Sequence, residues 1–242
     1  MHSPASVSAT DLHRRYGEGE AAVDALAGVD VQFEPGRFAA IMGPSGSGKS
    51  TLMHLLAGLD KPTSGSVVID GDEIAGFGDK ELTRLRRDRL GFVFQAFNLV
   101  PVLTAEENIL LPLTLAGRKP DKEWVEQLIA TVGLGDRLTH RPAELSGGQQ
   151  QRVAVARALI HRPAVVFADE PTGNLDSHAS DEVLGLLRRA VDDFGQTVVM
   201  VTHDPHSASV ADRIVVLNDG RIIHDGGGQS PEGVLELMKA VA

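Results

Sequence analysis

The chain has 242 residues, 42% hydrophobic and 23% charged, proportions ordinary for a water-soluble domain with a substantial core. Its 33 acidic against 23 basic side chains give a net charge of −10, which argues against a general binder of nucleic acid or anionic membrane. It contains no cysteine, so disulfides, thiolate zinc sites and cysteine nucleophiles are excluded.

The first seventeen residues lack the apolar run of a signal peptide. Residues 5–42 hold short strand-like pieces broken by Gly17, Gly19, Gly28 and the Glu34-Pro35-Gly36 turn, the pattern of an antiparallel layer. Within it Tyr16, the only tyrosine, reads either as a ring that stacks on adenine or as a partly exposed packing residue. The apolar run Phe38–Met42 predicts a strand covered on both faces. It leads into Gly43-Pro-Ser-Gly-Ser-Gly-Lys-Ser-Thr51 and then a helix whose Leu52, Leu55, Leu56 and Leu59 share one face. A strand, a glycine loop and a helix in that order form a phosphate seat. Gly43, Gly46 and Gly48, with Pro44, Ser45 and Ser47 between them, let backbone N–H groups converge on phosphate. Lys49 adds a mobile cation, and Ser50, followed by Thr51, offers a hydroxyl to Mg²⁺.

The next strand, Phe92–Phe94, ends at Gln95, whose amide can contact Mg²⁺ or water or simply finish the strand. Residues 96–160 read as a helical insertion. Its greasiest stretch, 97–117, is broken by Pro101, Glu106, Glu107, Asn108 and Pro112 and cannot supply the ~20 apolar residues of a membrane span. A helix is expected over 121–134, and another from Ser146 to Leu159 that buries Val153, Ala156 and Leu159. Ser146 fits an N-cap, but each glycine costs about 1 kcal/mol in a helix. Ser146, Gly147, Gly148 and Gln149 therefore read as a second phosphate seat at a helix N-terminus. Farther on, the strand Val165–Ala168 ends in Asp169, placed to hold Mg²⁺, usually through water, and Glu170, placed to polarise an attacking water. A helical stripe (Val183, Leu184, Leu187, Ala190, Val191) stops near Gly195, and the strand Val198–Val201 delivers His203 as a donor to a γ-phosphate. The strand Ile214–Leu217, a glycine-rich linker at 225–233 and a final helix complete a pattern of alternating strands and helices, the signature of an α/β core.

Taken together and in order, Tyr16, the Gly43–Thr51 loop, Gln95, Leu145–Gln149, Val165–Glu170, Gly173–Asp176 and His203 resemble the nucleotide-binding subunits of ABC transporters across essentially the whole chain. The intervening Leu-Ser-Gly-Gly-Gln separates that family from other NTPases. Residues 95–113 and 168–177 further resemble the subgroup of lipoprotein-release, macrolide-export (MacB-type) and cell-division ATPases. The resemblance implies an α/β P-loop NTPase fold in one domain, 1–242. It divides into an N-terminal antiparallel β layer (about 5–42), a RecA-like core with a mainly parallel sheet (about 43–95 and 161–226), an α-helical subdomain (about 96–160) and a C-terminal linker and helix (227–242). It implies ATP and Mg²⁺, with Tyr16 on adenine, Lys49 and Ser50 on phosphate and Mg²⁺, and Glu170 as catalytic base. Gln95, Asp169 and His203 would then sense Mg²⁺, water and γ-phosphate. It also implies a homodimer with ATP held between one phosphate loop and the partner's Ser146–Gln149, so that these four residues are exposed and idle in the isolated chain. An integral membrane permease is implied too, docked around residues 95–113 at the cytoplasmic face of the membrane. Export or extraction is the direction implied. A regulatory ATPase on a non-transporting membrane partner, or a soluble ATPase of repair or translation, is the alternative, and nucleic acid is not an expected partner.

Overall fold

The structure is a computed structural model that describes residues 6–19 and 22–240; the remaining residues of the expected 1–242 domain (1–5, 20, 21, 241 and 242) lie outside the described residues. Its strands are β1 (Val7–Tyr16), β2 (Val23–Phe33), β3 (Phe38–Met42), β4 (Ser64–Ile69), β5 (Asp72–Glu73), β6 (Leu90–Phe94), β7 (Val165–Asp169), β8 (Val198–Val201), β9 (Arg213–Asn218) and β10 (Arg221–Gly227). Its helices are α1 (Lys49–Leu56), α2 (Asp79–Arg89), α3 (Ala105–Leu115), α4 (Lys122–Val132), α5 (Gly147–Leu159), α6 (Ser177–Phe194), α7 (Pro205–Ala208) and α8 (Pro231–Ala240).

Two sheets result. One is antiparallel, in the order β2-β1-β4-β5; the other has six strands, β10-β9-β3-β8-β7-β6, all parallel except β10, which returns along β9. Every residue of β3 is buried, because the pleat sends Phe38, Ala40 and Met42 to one face and Ala39 and Ile41 to the other. The first face packs under α3 to α6, the second under α1 and the antiparallel sheet, so two cores share one sheet. The layer boundary expected at residue 42 therefore moves: residues 38–42 form a central parallel strand. Residues 64–73, expected within the core unit, join the antiparallel sheet through pairs such as Ala9 with Val67.

Helix ends follow their capping chemistry. Asp121 caps α4 by accepting from the Trp124 N–H, and Asp176 caps α6 by accepting from the Ala179 N–H. Gly133 and Gly195 end the same helices in the left-handed conformation. The leucine stripe after the phosphate loop is one member too long. α1 stops at Leu56, Gly58 turns the chain at φ +60°, and Leu59 lies beyond the helix, exposed.

The helix α5 rests directly on β6. A Cβ added at Gly91 would lie 2.4 Å from the Ala158 carbonyl oxygen, so only glycine permits this approach. Gly91→Ala is therefore expected to push α5 off the sheet and destabilise the fold by about 1–3 kcal/mol, read from the midpoint of urea unfolding.

Candidate active site

Four adjacent parallel strands end at one edge and present the predicted residues side by side. Ile41 pairs with Val201, Val201 with Asp169, and Asp169 with Phe94, so the loop after β3, His203, Glu170 and Gln95 all begin within a residue or two of the ladder's end. Ligand sites of open parallel sheets form at this carboxyl edge.

In the first loop Gly43 and Gly48 have φ +145° and +103°, values that strain any other residue. Their missing side chains also make room for neighbours: a Cβ on Gly43 would meet the Leu217 carbonyl oxygen at 2.1 Å, and one on Gly48 the Ala25 oxygen at 2.4 Å. Gly46, at φ +81°, faces open space alongside the exposed Pro44, Ser45 and Ser50. The buried Lys49 ammonium donates to the carbonyls of Gly43 (2.9 Å) and Pro44 (2.7 Å), which holds the loop around it. Burial lowers its pKa, opposed by the field of Glu170 and then Asp169, so the cation and both carboxylates share one electrostatic site. The Ser47 hydroxyl is buried without a hydrogen-bond partner, and Thr51 is half-buried at the start of α1.

Opposite the loop, burial raises the Asp169 carboxyl above the usual carboxylate range, against the favourable fields of His54 and Lys49. Glu170 takes φ +45°, a strained position for a residue with a side chain, held by its N–H on the Val201 oxygen and by the Gly173 N–H on its own. Its Oε1 lies 2.8 Å from His203 Nδ1, which joins two residues 33 positions apart as a carboxylate–imidazole pair. Gln95 Nε2 donates to Asn174 Oδ1 (3.1 Å), and Asn174 Nδ2 donates to the Gln95 carbonyl (3.0 Å). That contact requires Gly173, where a Cβ would lie 2.7 Å from the Gln95 amide.

Tyr16 stands at the end of the β1–β2 hairpin. That hairpin reaches the phosphate loop, since Ala25 touches Gly48 and neighbours Asp24, the partner of Arg15. One ring face is covered by the Arg14 guanidinium at 4.4 Å, its hydroxyl donates to Asp60 (2.9 Å), and 40% of the residue remains exposed.

Ser146–Gln149 lie beside this edge cluster, next to Asn174 and Leu175. Ser146 Oγ accepts from the Gln149 N–H and the Ser146 N–H donates to Gln149 Oε1, a reciprocal capping box at the start of α5. The structure thus corrects the idea that Gln149 has no role in its own chain. These residues line an open depression of about 470 Å³ with Asn174 and Asp176, whereas Glu170 and His203 line another of about 550 Å³. Ser146 is exposed and the next three residues half-buried, while Val153, Ala156 and Leu159 are buried as expected.

Sequence reasoning missed Gln151. Fully buried, it donates from Nε2 to the carbonyls of Phe94 (3.2 Å) and Pro171, the residues flanking Gln95 and Glu170. The signal was present: Gln151 stands four residues before Val155 on the buried side of α5, where an apolar residue belongs. Asn108, read from sequence only as a break in an apolar stretch, has a similar role. Fully buried, it accepts from the Val100 N–H and donates to the carbonyls of Val100, Leu103 and Thr104, which fixes the loop before α3.

The family model described as ABC transporter matches residues 26–173. The chain is 50% identical over 223 residues to the macrolide export ATP-binding/permease protein MacB of Marinobacter nauticus, covering 91% of this chain and 34% of that protein. It is 42% identical over 240 residues to the bacitracin export ATP-binding protein BceA of Halalkalibacterium halodurans, covering 97% of this chain and 95% of that one. The solved ATP-binding cassette MJ0796, dimeric in a post-hydrolysis state with ADP and Pi, superposes with a TM-score of 0.82 at 42% identity over 93% of this chain and 99% of that one. The chain spans about a third of the length of the MacB relative and nearly all of BceA and the solved cassette.

Because burial penalises ionised Asp169, Asp169→Asn is expected to raise the melting temperature of the protein without nucleotide. An acid whose folded pKa is raised contributes stability at low pH and loses it as pH rises through that value. The gain from Asp169→Asn should therefore be small in acid and larger at neutral pH, as thermal melts across pH would measure.

Proposed function

The chain belongs to the ABC transporter family, and on that premise we propose that it is the ATP-hydrolysing subunit that energises an export-type membrane permease, acting as a dimer. It is an ATPase, converting ATP and water to ADP and phosphate. The observation that carries the chemistry is the 2.8 Å Glu170–His203 contact at the edge shared with Lys49 and Gln95.

The phosphate loop's backbone N–H groups and Lys49 bind the phosphates, and Tyr16 offers its uncovered ring face to adenine. The donors available to a metal are the Ser50 hydroxyl, the Gln95 amide oxygen and the Asp169 carboxylate. All are hard oxygen ligands that suit Mg²⁺, and the buried Asp169 is a carboxylate that a cation would stabilise. Bound Mg²⁺ would supply neutralisation of the charge that builds on the phosphates. Glu170 accepts the proton of the attacking water. An ionised Glu170 accepts from His203, so Nδ1 carries the proton of that bond. Nε2 is then the His203 ring nitrogen left to meet a γ-phosphate oxygen. Gln95, steadied by Asn174, keeps its amide oxygen for metal or water.

Ser146–Gln149 serve the partner's ATP, a reading that the dimeric form of the solved cassette supports. The permease docks beside α3, where Val102 and Leu115 are 72% and 67% exposed. No helix among the described residues is long and apolar enough to cross a membrane. The export relatives support a place at the cytoplasmic face, held through the permease. The export relatives support the direction, and the permease sets the cargo.

Glu170→Gln is expected to lower turnover by roughly a thousandfold while ATP binding persists, and to trap a dimer visible by size-exclusion chromatography with ATP; normal turnover would remove Glu170 as the base. Gly147→Asp has room in its own chain, since a Cβ there meets nothing closer than 3.6 Å, and an acid suits the first turn of a helix. It should fold normally and bind ATP as a monomer, yet hydrolyse at least about a hundredfold more slowly, because its carboxylate would oppose the partner's γ-phosphate. Parallel loss of binding and hydrolysis would place this seat in its own chain's site.

A further inference from the structure

The parallel ladder of β6 and β7 closes at Phe94 and Asp169. The chain then diverges on both sides, into Gln95 on one and Glu170-Pro171 on the other. The carbonyl of Phe94, at the ladder's end, and that of Pro171, just past it, both receive Gln151 Nε2, although they are 77 residues apart in the chain (94 to 171). One amide group thus spans the gap between the residue before Gln95 and the residue after Glu170.

Two acceptors on one side fix the orientation of the amide, because the opposite flip would set oxygen against oxygen. The arrangement leaves Gln151 Oε1 buried with no protein partner. A leucine or methionine of similar size would fill the space without that cost, so packing does not account for a glutamine here. Gln151 also sits two residues beyond Gln149 on α5, a helix held hard against β6 through Gly91. A shift of the helix N-terminus therefore moves the amide and both carbonyls with it.

We propose that Gln151 is a positioning residue for hydrolysis, which sets the spacing between Gln95 and Glu170 and passes the position of the Ser146–Gln149 end to its own chain's reacting groups. The inference rests on the reading of Gln95 and Glu170 as the groups at the attacking water and of Ser146–Gln149 as the seat for the partner's ATP. Contact with the partner's nucleotide at the N-terminus of α5 then tunes hydrolysis in the chain's own site, which couples the two sites of a dimer.

The test compares Gln151→Leu and Gln151→Met with the unmodified protein and with Val155→Ala, a cavity variant of the same helix whose side chain is fully buried. ATP turnover is measured against ATP concentration and corrected for folded fraction by thermal melts. Both Gln151 variants are expected to lose about tenfold or more in kcat with KM moving less than about twofold, and the Hill coefficient is expected to fall toward one. Val155→Ala should lose stability but keep kcat and cooperativity per folded molecule. Wild-type kcat and cooperativity in the Gln151 variants, or losses that match Val155→Ala, would overturn the inference while leaving the ATPase intact. Failure of both Gln151 variants to fold would make the residue structural and also overturn it. Absence of cooperativity in the unmodified protein would strike the dimeric reading beneath it as well.

Discussion

The constraint on which this structure depends is the parallel register of β3, β8, β7 and β6. Parallel pairing carries every strand's carboxyl end to the same edge, so residues separated by up to 160 positions in the chain (43 to 203) begin their loops in one row. No contact between side chains is needed to gather them. What the side chains decide is how far each loop departs from the ladder, and here the structure is exacting. Gly43 and Gly48 can approach neighbouring backbone only because they lack a Cβ, and Gly173 stands against the Gln95 amide for the same reason.

The edge also concentrates unfavourable terms. Burial penalises the ionised form of Asp169, Lys49 is buried, and Glu170 holds a backbone conformation that side chains disfavour. Each is offset by an identifiable partner. Lys49 bonds two loop carbonyls, its field reaches both acids, and the strained turn at Glu170 is fixed by backbone bonds on both sides. Such an edge is held in place by the rest of the domain rather than by its own local preference, the circumstance in which strained and perturbed groups persist.

Much of this was legible in the sequence because it depends on short-range patterns. Continuous apolar runs gave away the strands of a sheet covered on both faces, and glycine spacing after one of them marked the phosphate loop. The missing parts depend on pairing between distant segments. Nothing local tells residues 64–73 to leave the core unit and pair with β1, because alternating exposure serves either sheet. Gln151 and Asn108 looked like ordinary helix surface by residue type. Only the fold shows that each is fully buried and bonded to backbone carbonyls of neighbouring loops. The helix of Leu52 was drawn too far for the opposite reason: Leu59 matched the period, and the turn at Gly58 overruled it.

The second glycine loop illustrates how the two kinds of information combine. Four residues, Ser146 to Gln149, seemed from sequence to need an anion, because a cap alone would not require two glycines and a glutamine. Three of them now have reasons inside their own chain. Ser146 and Gln149 form a capping box, and Gly148 lets α5 approach α6, since a Cβ there would stand 3.0 Å from that of Ala179. Gly147 has no such reason. It occupies the first helical position, its conformational freedom costs about 1 kcal/mol relative to alanine, and a side chain there would meet only ordinary van der Waals contact with Leu175 and Phe97. The case for a ligand from outside the chain therefore narrows from a motif to one residue. It stands on a helix N-terminus whose capping uses side chains of the helix itself and whose other end is anchored in the core.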